Sequence, residues 1–403
     1  MTNRADSAHT TTVRVDKVVA EGDGLGRLDD GRVVFVEGAL PGELARVRMV
    51  KQSRDYARAI AIEILEPNPQ RVEPPCRHVG RGCGGCDLQH ASLELQRDVK
   101  IGIVRESLER LGRIDAPDVR ANFFAPVVGA RTTVRVARAT DGSVGFRRRR
   151  GHEVISIDRC PVVRPELSDV IEVLRVPDGI DDVTARVSVA TGRSGLWCEP
   201  SDGIEWGAVH PDVTGATGVL HEEVLGRTFQ VSMGSFFQSS PDAAASIVRA
   251  VEAALGPSDS WGSGPFVDLY GGVGLFSALV PPDDREVIVV EGNPFACADA
   301  RVNVSDRRSR VIESRVENWT PERAGAVVAD PSRDGLRAQA VEIVAATETP
   351  VLALVSCDPA SLGRDARLLA EAGFDLDWAE VLDPFPHTHH LEVVSRFVNR
   401  ARL

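Results

Sequence analysis

From residue 231 onward, short apolar runs alternate with amphipathic stretches. Few architectures satisfy that pattern except a sheet of parallel strands with helices between them. Strands are predicted at 265–269, 286–290, 326–329 and 351–355, and helices at 241–255, 294–303 and 361–372. A doubly wound sheet of this kind takes its ligand outside the carboxyl ends of its strands. The residues that end each run are therefore the first candidates for chemistry.

The first strand ends in Asp268-Leu-Tyr270-Gly-Gly272-Val-Gly274, straight before a helix. Glycines at that crossover let backbone amides approach a ligand. Seventeen residues after Gly274, the run EVIVV ends in Glu291, a carboxylate suited to ribose hydroxyls. The pair favours a nucleoside-type cofactor. The third glycine of a dinucleotide fingerprint is missing, and an Asp precedes the loop, as in enzymes that use S-adenosylmethionine (SAM). The two remaining strands end in Asp330-Pro331-Ser332-Arg333 and in Ser356-Cys357-Asp358-Pro359. Asp330, Glu291, Cys357 and the glycine loop are thus expected around one crevice. A thiol in a polar turn that leads into a helix is poorly explained as core filler, and a helix N-terminus is expected to lower its pKa.

Near the C-terminus, His387, His389 and His390 form H-x-H-H on an irregular segment, which lacks the ligand spacing of a zinc site. Glu392 opens a strand-like run and reads either as a base or as a solvated edge residue.

The N-terminal half has a different texture. Residues 11–66 are short alternating runs broken by Gly-, Asp- and Pro-containing turns, which predicts five strands closing into an OB-like barrel. Pro67 to Pro75 reads as a linker. An amphipathic helix is predicted at 92–112, and 125–230 is strand-rich with no lasting helical pattern. Three cysteines, Cys76, Cys83 and Cys86, crowd into eleven residues. Thiols at that spacing bind zinc or an iron–sulfur cluster and need a fourth ligand, for which Cys160, followed by proline, is the leading candidate.

Charge is uneven along the chain. Residues 1–160 hold 27 Lys and Arg against 22 Asp and Glu, while the rest holds 20 against 37, giving −12 in all. A mildly basic half that contains Arg147-Arg148-Arg149-Arg150 can bind nucleic acid even in an acidic protein. The polar start MTNRADSAHTTT and the absence of a long apolar run predict a cytoplasmic protein with no membrane span.

Taken in order, the cysteine cluster, SFFQSS, DLYGGVGLFS, DPSRDG, SCDPASLGRD and FPHTHHLE resemble the bacterial SAM-dependent RNA uracil-5 methyltransferases, which form 5-methyluridine. The likeness is to the branch with a TRAM domain and a [4Fe–4S] cluster, and it covers nearly the whole chain. It implies a TRAM-like barrel at 1–66, a central β-rich iron–sulfur domain at 67–230 and a Rossmann-like methyltransferase domain at 231–403, with the helix at 92–112 a candidate to pack on the last. It further implies that Cys76, Cys83, Cys86 and Cys160 hold the cluster, and that Gln238, Tyr270, Gly272, Gly274, Glu291 and Asp330 hold SAM. Cys357 would be the nucleophile, Glu392 the base, and Phe236 a residue near the target base. Rivals are an RNA-binding module with a degenerate site and a SAM enzyme acting on another substrate. RNA, ribosomal or transfer, is the expected partner of a monomer. Three residues depart from the family pattern: Ser240 and Leu275 stand where Asn is common, and Ser332 replaces the second proline of D-P-P-R.

Overall fold

A computed structural model describes residues 10–123, 127–199 and 204–402. The stretch 1–9, on which part of the cytoplasmic expectation rests, lies outside the described residues. The chain forms two compact units. One holds the chain up to Ile103 together with Phe385–His390, and the other holds Val104–Pro384 and the chain from Leu391.

In the first unit, β1 (Thr10–Val18), β2 (Gly24–Arg27), β3 (Val33–Glu37), β4 (Leu44–Gln52) and β5 (Tyr56–Glu66) close a barrel in the order β1-β2-β3-β5-β4. Alternation decides its inside: Val13, Val15, Val34, Val36, Ala45 and Val47 are buried, and their sequence neighbours face out. Gly26 is required by close approach, since a Cβ there would lie 2.3 Å from the Arg14 carbonyl oxygen.

The proline-rich stretch 67–75 is anchored rather than a loose linker. The buried Glu43 carboxylate accepts from the Asn68 amide at 3.1 Å and from the Arg71 guanidinium at 2.6 and 2.7 Å. Burial opposes its ionisation, but Arg71 and two backbone amides outweigh that and hold the carboxyl below its usual range. The segment 385–390 enters this unit as a strap. His387 O accepts from the amides of Asp87 and Leu88, and the buried Lys100 donates to Phe385 O at 3.1 Å. The His389 ring meets the Asp87 carboxylate. Helix α1 (Leu93–Arg110) begins here, with Ser92 Oγ accepting from the Leu95 amide.

The second unit takes in the end of α1 from Val104, and its first strand is the short β6 (Val119–Asn122). Next come β7 (Thr133–Arg138), β8 (Val144–Arg147), β9 (Val154–Ser156), α2 (Pro165–Val173), β10 (Asp182–Val187), β11 (Ser194–Trp197) and β12 (Val213–Thr214). Their six strands form one sheet in the order β12-β11-β10-β7-β8-β9. Helix α2 interrupts a region read from its pattern as strand-rich with no lasting helical pattern. It is nine residues long, too short for helical periodicity to stand out, although Pro165 at its first turn is a start signal. A hairpin of β13 (Val219–Val224) and β14 (Arg227–Ser232) leads into the alternating part.

That part comprises α3 (Pro241–Leu255), β15 (Phe266–Leu269), α4 (Leu275–Leu279), β16 (Val287–Glu291), α5 (Pro294–Asn303), β17 (Ser309–Glu313), β18 (Ala326–Ala329), α6 (Arg337–Ala346), β19 (Val351–Ser356), α7 (Pro359–Glu371), β20 (Phe374–Leu382) and β21 (Glu392–Asn399). With β6 they give an eight-stranded sheet in the order β17-β16-β15-β18-β19-β21-β20-β6. From β17 to β19 every pair is parallel, and β21 then runs antiparallel to both β19 and β20. The parallel strands are buried on both faces, so β15, β18 and β19 read as unbroken apolar runs apart from Asp268 and Ser356. Helix α7 comes very close to the last turn of α1: a Cβ on Gly363 would sit 2.5 Å from Ser107 O.

Candidate active site

The carboxyl ends of β15, β16, β18 and β19, the start of β21, and the segment after β14 enclose a cavity of about 470 Å³. Phe236, Gln238, Tyr270, Gly272, Glu291, Asp330, Cys357 and Glu392 all line it. Gly274 does not. It caps α4 in the left-handed region at φ +82° and faces Ala300 and Val304 instead.

Register explains why Cys357 and Glu392, 35 residues apart, share this wall. In the β19–β21 ladder Ser356 pairs with Val393. The residue after Ser356 and the residue before Val393 are Cys357 and Glu392, so both lie at the same sheet end. On the other side of β19, Leu354 pairs with Ala329, which brings Asp330 to the same level. Asp358 then caps α7, its carboxylate accepting from the Ser361 amide at 2.7 Å.

The glycine loop is tied to the next strand. Glu291 accepts from the Gly272 amide at 2.9 Å through Oε2 and from the Asn293 amide at 2.7 Å through Oε1. Asn293 in turn caps α5, with its Oδ1 accepting from the Phe295 amide at 2.9 Å. Gly272 has φ +53° with open space where a side chain would stand. Tyr270 also takes positive φ, at 59°, and its hydroxyl donates to Glu317 Oε1 at 3.2 Å.

Acidic groups at this sheet end are crowded and poorly hydrated. Asp268 is fully buried. Its Oδ2 accepts from the Ser277 amide and hydroxyl at 3.1 and 2.9 Å, while its Oδ1 has no partner among the described residues. Burial, with Glu291 nearby, lifts Asp268 to about 7. Burial and the Asp268 charge raise Asp330, and burial and the Asp330 charge raise Glu392 well above the carboxylate range. Such a cluster is relieved by a cation, which makes the cavity suited to a positively charged ligand.

The helix-dipole expectation for Cys357 is overturned. Its thiol is pushed up to about 12, first by burial and then by the charges of Glu392 and Asp330, while Arg333 acts in the opposite direction. Burial, with two carboxylates supplied by distant parts of the chain, sets the direction despite the position of Cys357 just before α7. Arg333, exposed at the cavity rim, lowers both Cys357 and Glu392. Its motif is visible in the sequence, but its electrostatic part is not.

The three departures have local explanations. Ser240 Oγ accepts from the Ala243 amide at 3.1 Å and caps α3. Leu275 lines the cavity as an apolar wall, and Ser332 lies on its rim. Arg147 to Arg150 lie at and just beyond the end of β8, outside the cavity lining. Arg147 pairs with Asp182 at 2.6 Å and Arg148 with Glu153 at 2.8 Å. Cys76, Cys83 and Cys86 lie half-buried in turns before α1, and Cys160 is half-buried with its amide donating to Ser168 Oγ at 3.0 Å. The donors are thiols, suited in kind to iron–sulfur. Among the described residues, however, no three His, Cys, Asp or Glu side chains gather as a metal site. No described helix is long and apolar enough to cross a membrane.

Comparison with known proteins agrees with this geometry. Residues 9–62 match the TRAM domain. The chain is 34% identical to an uncharacterised RNA methyltransferase of Streptomyces avermitilis, covering 95% of this chain and 96% of that one. It is 32% identical to the 23S rRNA (uracil(1939)-C(5))-methyltransferase RlmD of Chromohalobacter salexigens, covering 96% and 89%. The tRNA (uracil-54, C5)-methyltransferase of Pyrococcus abyssi, solved with S-adenosyl-L-homocysteine, superposes with a TM-score of 0.70 at 22% identity over 96% of this chain and 100% of that one, a likeness of fold. With the barrel, the wound sheet and the Cys–Glu wall in place, the chain belongs to the RNA (uracil-C5)-methyltransferase family.

Proposed function

We propose that this chain methylates carbon-5 of a uridine in RNA, with SAM as methyl donor and Cys357 as a transient covalent anchor. The observation that carries the reading is that Cys357 and Glu392 line the same cavity as Glu291 and Asp330, just beyond the Ser356–Val393 pair that ends the β19–β21 ladder. Buried acidic groups with raised pKa values suit a sulfonium, which supplies an electrophilic methyl group. Glu291, already oriented by two backbone amides, is placed to accept from ribose hydroxyls, with Gln238, Tyr270 and Asp330 on the same lining.

Carbon-5 of uracil is too weak a nucleophile unaided. Addition of the Cys357 thiolate to carbon-6 would form a C–S bond and move the ring electrons to an enolate, whose carbon-5 could take the methyl group as the donor's S–CH3 bond breaks and its sulfur leaves as a neutral thioether. Arg333 favours the thiolate that this step needs. Carbon-5 then carries both a methyl group and a hydrogen. Glu392 removes that proton, the ring double bond re-forms, and Cys357 leaves as thiolate. A carboxylate whose pKa is raised is the stronger base for this task. The target uridine must leave its stack to reach the cavity. Phe236, 71% exposed on the rim, offers a ring to meet it. Arg147 to Arg150 would hold flanking phosphates by exchanging carboxylate partners for RNA.

Mapping 5-methyluridine in ribosomal and transfer RNA from cells with and without the protein tests this reading. One site should vanish and return when purified protein and SAM are added. If no site changes and no methyl reaches RNA in vitro, the reading falls.

We also propose that Cys76, Cys83, Cys86 and Cys160 bind a [4Fe–4S] cluster. The support is their spacing and thiol chemistry, and no step above passes through it. Iron and acid-labile sulfide in anaerobically purified protein test it, and stoichiometric zinc without iron would refute it. The working form is read as a cytoplasmic monomer, which size-exclusion chromatography with light scattering checks for the oligomeric state.

A further inference from the structure

The segment Ser232–Ser240 carries Phe236 and Gln238, and two buried charges on other elements grip its first half. Arg186, on β10 and 3% exposed, donates to Ser232 O at 3.2 Å, to Ser235 O at 3.0 Å and to Thr133 Oγ1 at 3.1 Å. Asp299, on α5 and fully buried, accepts from the Ser232 amide and hydroxyl, both at 2.8 Å. It also accepts from Ser235 Oγ at 2.6 Å and Gln230 Nε2 at 2.9 Å. The second half of the segment has separate anchors. Thr132 donates to Ser239 O at 2.8 Å from its amide, and Ser240 caps α3. Between the two sets of anchors stands Phe236, an exposed ring between buried neighbours. Leaving such a ring in water forgoes the stabilisation that its burial would give. A buried cation and a buried anion both spent on Ser232 and on Ser235, the residue just before the ring, therefore point to a fixed outward pose.

We infer that Arg186 and Asp299 are positioning residues for the RNA substrate: they clamp the Ser235–Phe236 peptide so that the Phe236 ring stands ready at the cavity rim for the extruded base. The inference rests on the function proposed above and adds to it two residues that touch neither the base nor the cofactor. Buried ion networks are often no more than core structure, and removing one member is costly for that reason alone. The inference differs from that ordinary role in a specific way. The clamp should act on RNA capture through Phe236 and leave cofactor binding alone, because the Gln238 side is anchored independently.

The test is a double-mutant cycle on Ser235 and Phe236. Ser235→Ala removes one donor to Asp299 and leaves both charges otherwise partnered. The probes are RNA from cells lacking the protein, as methyl acceptor, and S-adenosylhomocysteine, whose affinity is read by calorimetry. Ser235→Ala should lower kcat/KM for that RNA about five- to tenfold, consistent with loss of one charge-assisted hydrogen bond, and change S-adenosylhomocysteine affinity less than about twofold. In a Phe236→Ala background the same substitution should cost almost nothing. Arg186→Lys, which keeps the charge but loses the fork that spans both carbonyls, should repeat this pattern if it folds. Additive losses in the Ser235–Phe236 cycle, or cofactor affinity falling in step with RNA turnover, would overturn the inference. A wild-type chain that methylates no RNA would remove the functional reading itself and the inference with it. An active wild type with an additive cycle removes only the inference.

Discussion

The Gly272 amide donates to Glu291 Oε2 at 2.9 Å, so the glycine loop and the end of the neighbouring strand are one rigid piece before any ligand arrives. The carboxylate is aimed by two amides, from Gly272 and Asn293, and keeps lone pairs for a further partner. Glu291→Gln replaces one acceptor oxygen by a donor that faces an amide. SAM affinity should fall by about 10- to 100-fold, in keeping with hydrogen bonds to a charged group. Covalent capture of RNA by Cys357, which needs no methyl donor, should persist. Unchanged calorimetric affinity would remove Glu291 from the cofactor site.

Cys357 and Glu392 line one cavity, but the proposed mechanism uses them at opposite ends of the reaction, so their variants should fail differently. Cys357→Ala should abolish methylation and give no covalent RNA adduct on denaturing gels. Glu392→Gln should still add thiol and methyl, then stall with a methylated Cys357–RNA adduct, because the carbon-5 proton has no base. Near-normal turnover in either variant would contradict the mechanism.

Arg333 is a cation that acts to lower a thiol which burial, together with Glu392 and Asp330, pushes up to about 12. Removing it should raise the thiol pKa further and shrink the thiolate fraction at neutral pH. Arg333→Gln should therefore slow alkylation of Cys357 by iodoacetamide at pH 8 by about three- to tenfold, since one pKa unit is a factor of ten in thiolate. Faster alkylation would reverse the sign argued here.

The raised carboxyls set a pH dependence for cofactor binding. Asp268, lifted to about 7, and Asp330 and Glu392, also raised, are protonated in a larger share of folded molecules than free carboxyls would be at pH 5–6. A cation favours their ionised forms, so its binding releases protons and strengthens as pH rises through about 7. S-adenosylhomocysteine lacks the sulfonium charge. The ratio of SAM to S-adenosylhomocysteine affinity should therefore climb severalfold between pH 5.5 and 8, and a flat ratio in calorimetry would show that these groups do not sense the sulfonium.

Much of the fold is legible because β15, β16, β18 and β19 lie inside a parallel sheet, where every residue meets apolar neighbours and the strand becomes a continuous Val- and Ala-rich run. Their ends mark the site for the same reason. Helix α2 is hidden by its length. The anchoring of 67–75 is hidden because its grip, Glu43, lies 25 residues or more away. The thiol pKa of Cys357 is misread locally: the burial that raises it first, and the carboxylates of Glu392 and Asp330 that add to it, arise from strand packing that the local sequence does not encode. Arg186 and Asp299 carry no signal at all, since a charge on a strand or helix usually faces water, and only tertiary packing turns these two inward.

The strap Phe385–His390 is claimed by the N-terminal unit although both its flanks belong to the other. Neither unit is therefore a contiguous cassette. Excising residues 1–103 as a gene fragment would strip away the partners of His387, His389 and Phe385 while leaving the strap itself behind. A recombination event that exchanged the N-terminal unit alone would have to bring in matching side chains for a strap encoded nearly three hundred residues downstream. Grafting a foreign front end onto this methyltransferase thus demands two coordinated insertions. On that count the front and back of the chain are expected to have been inherited together.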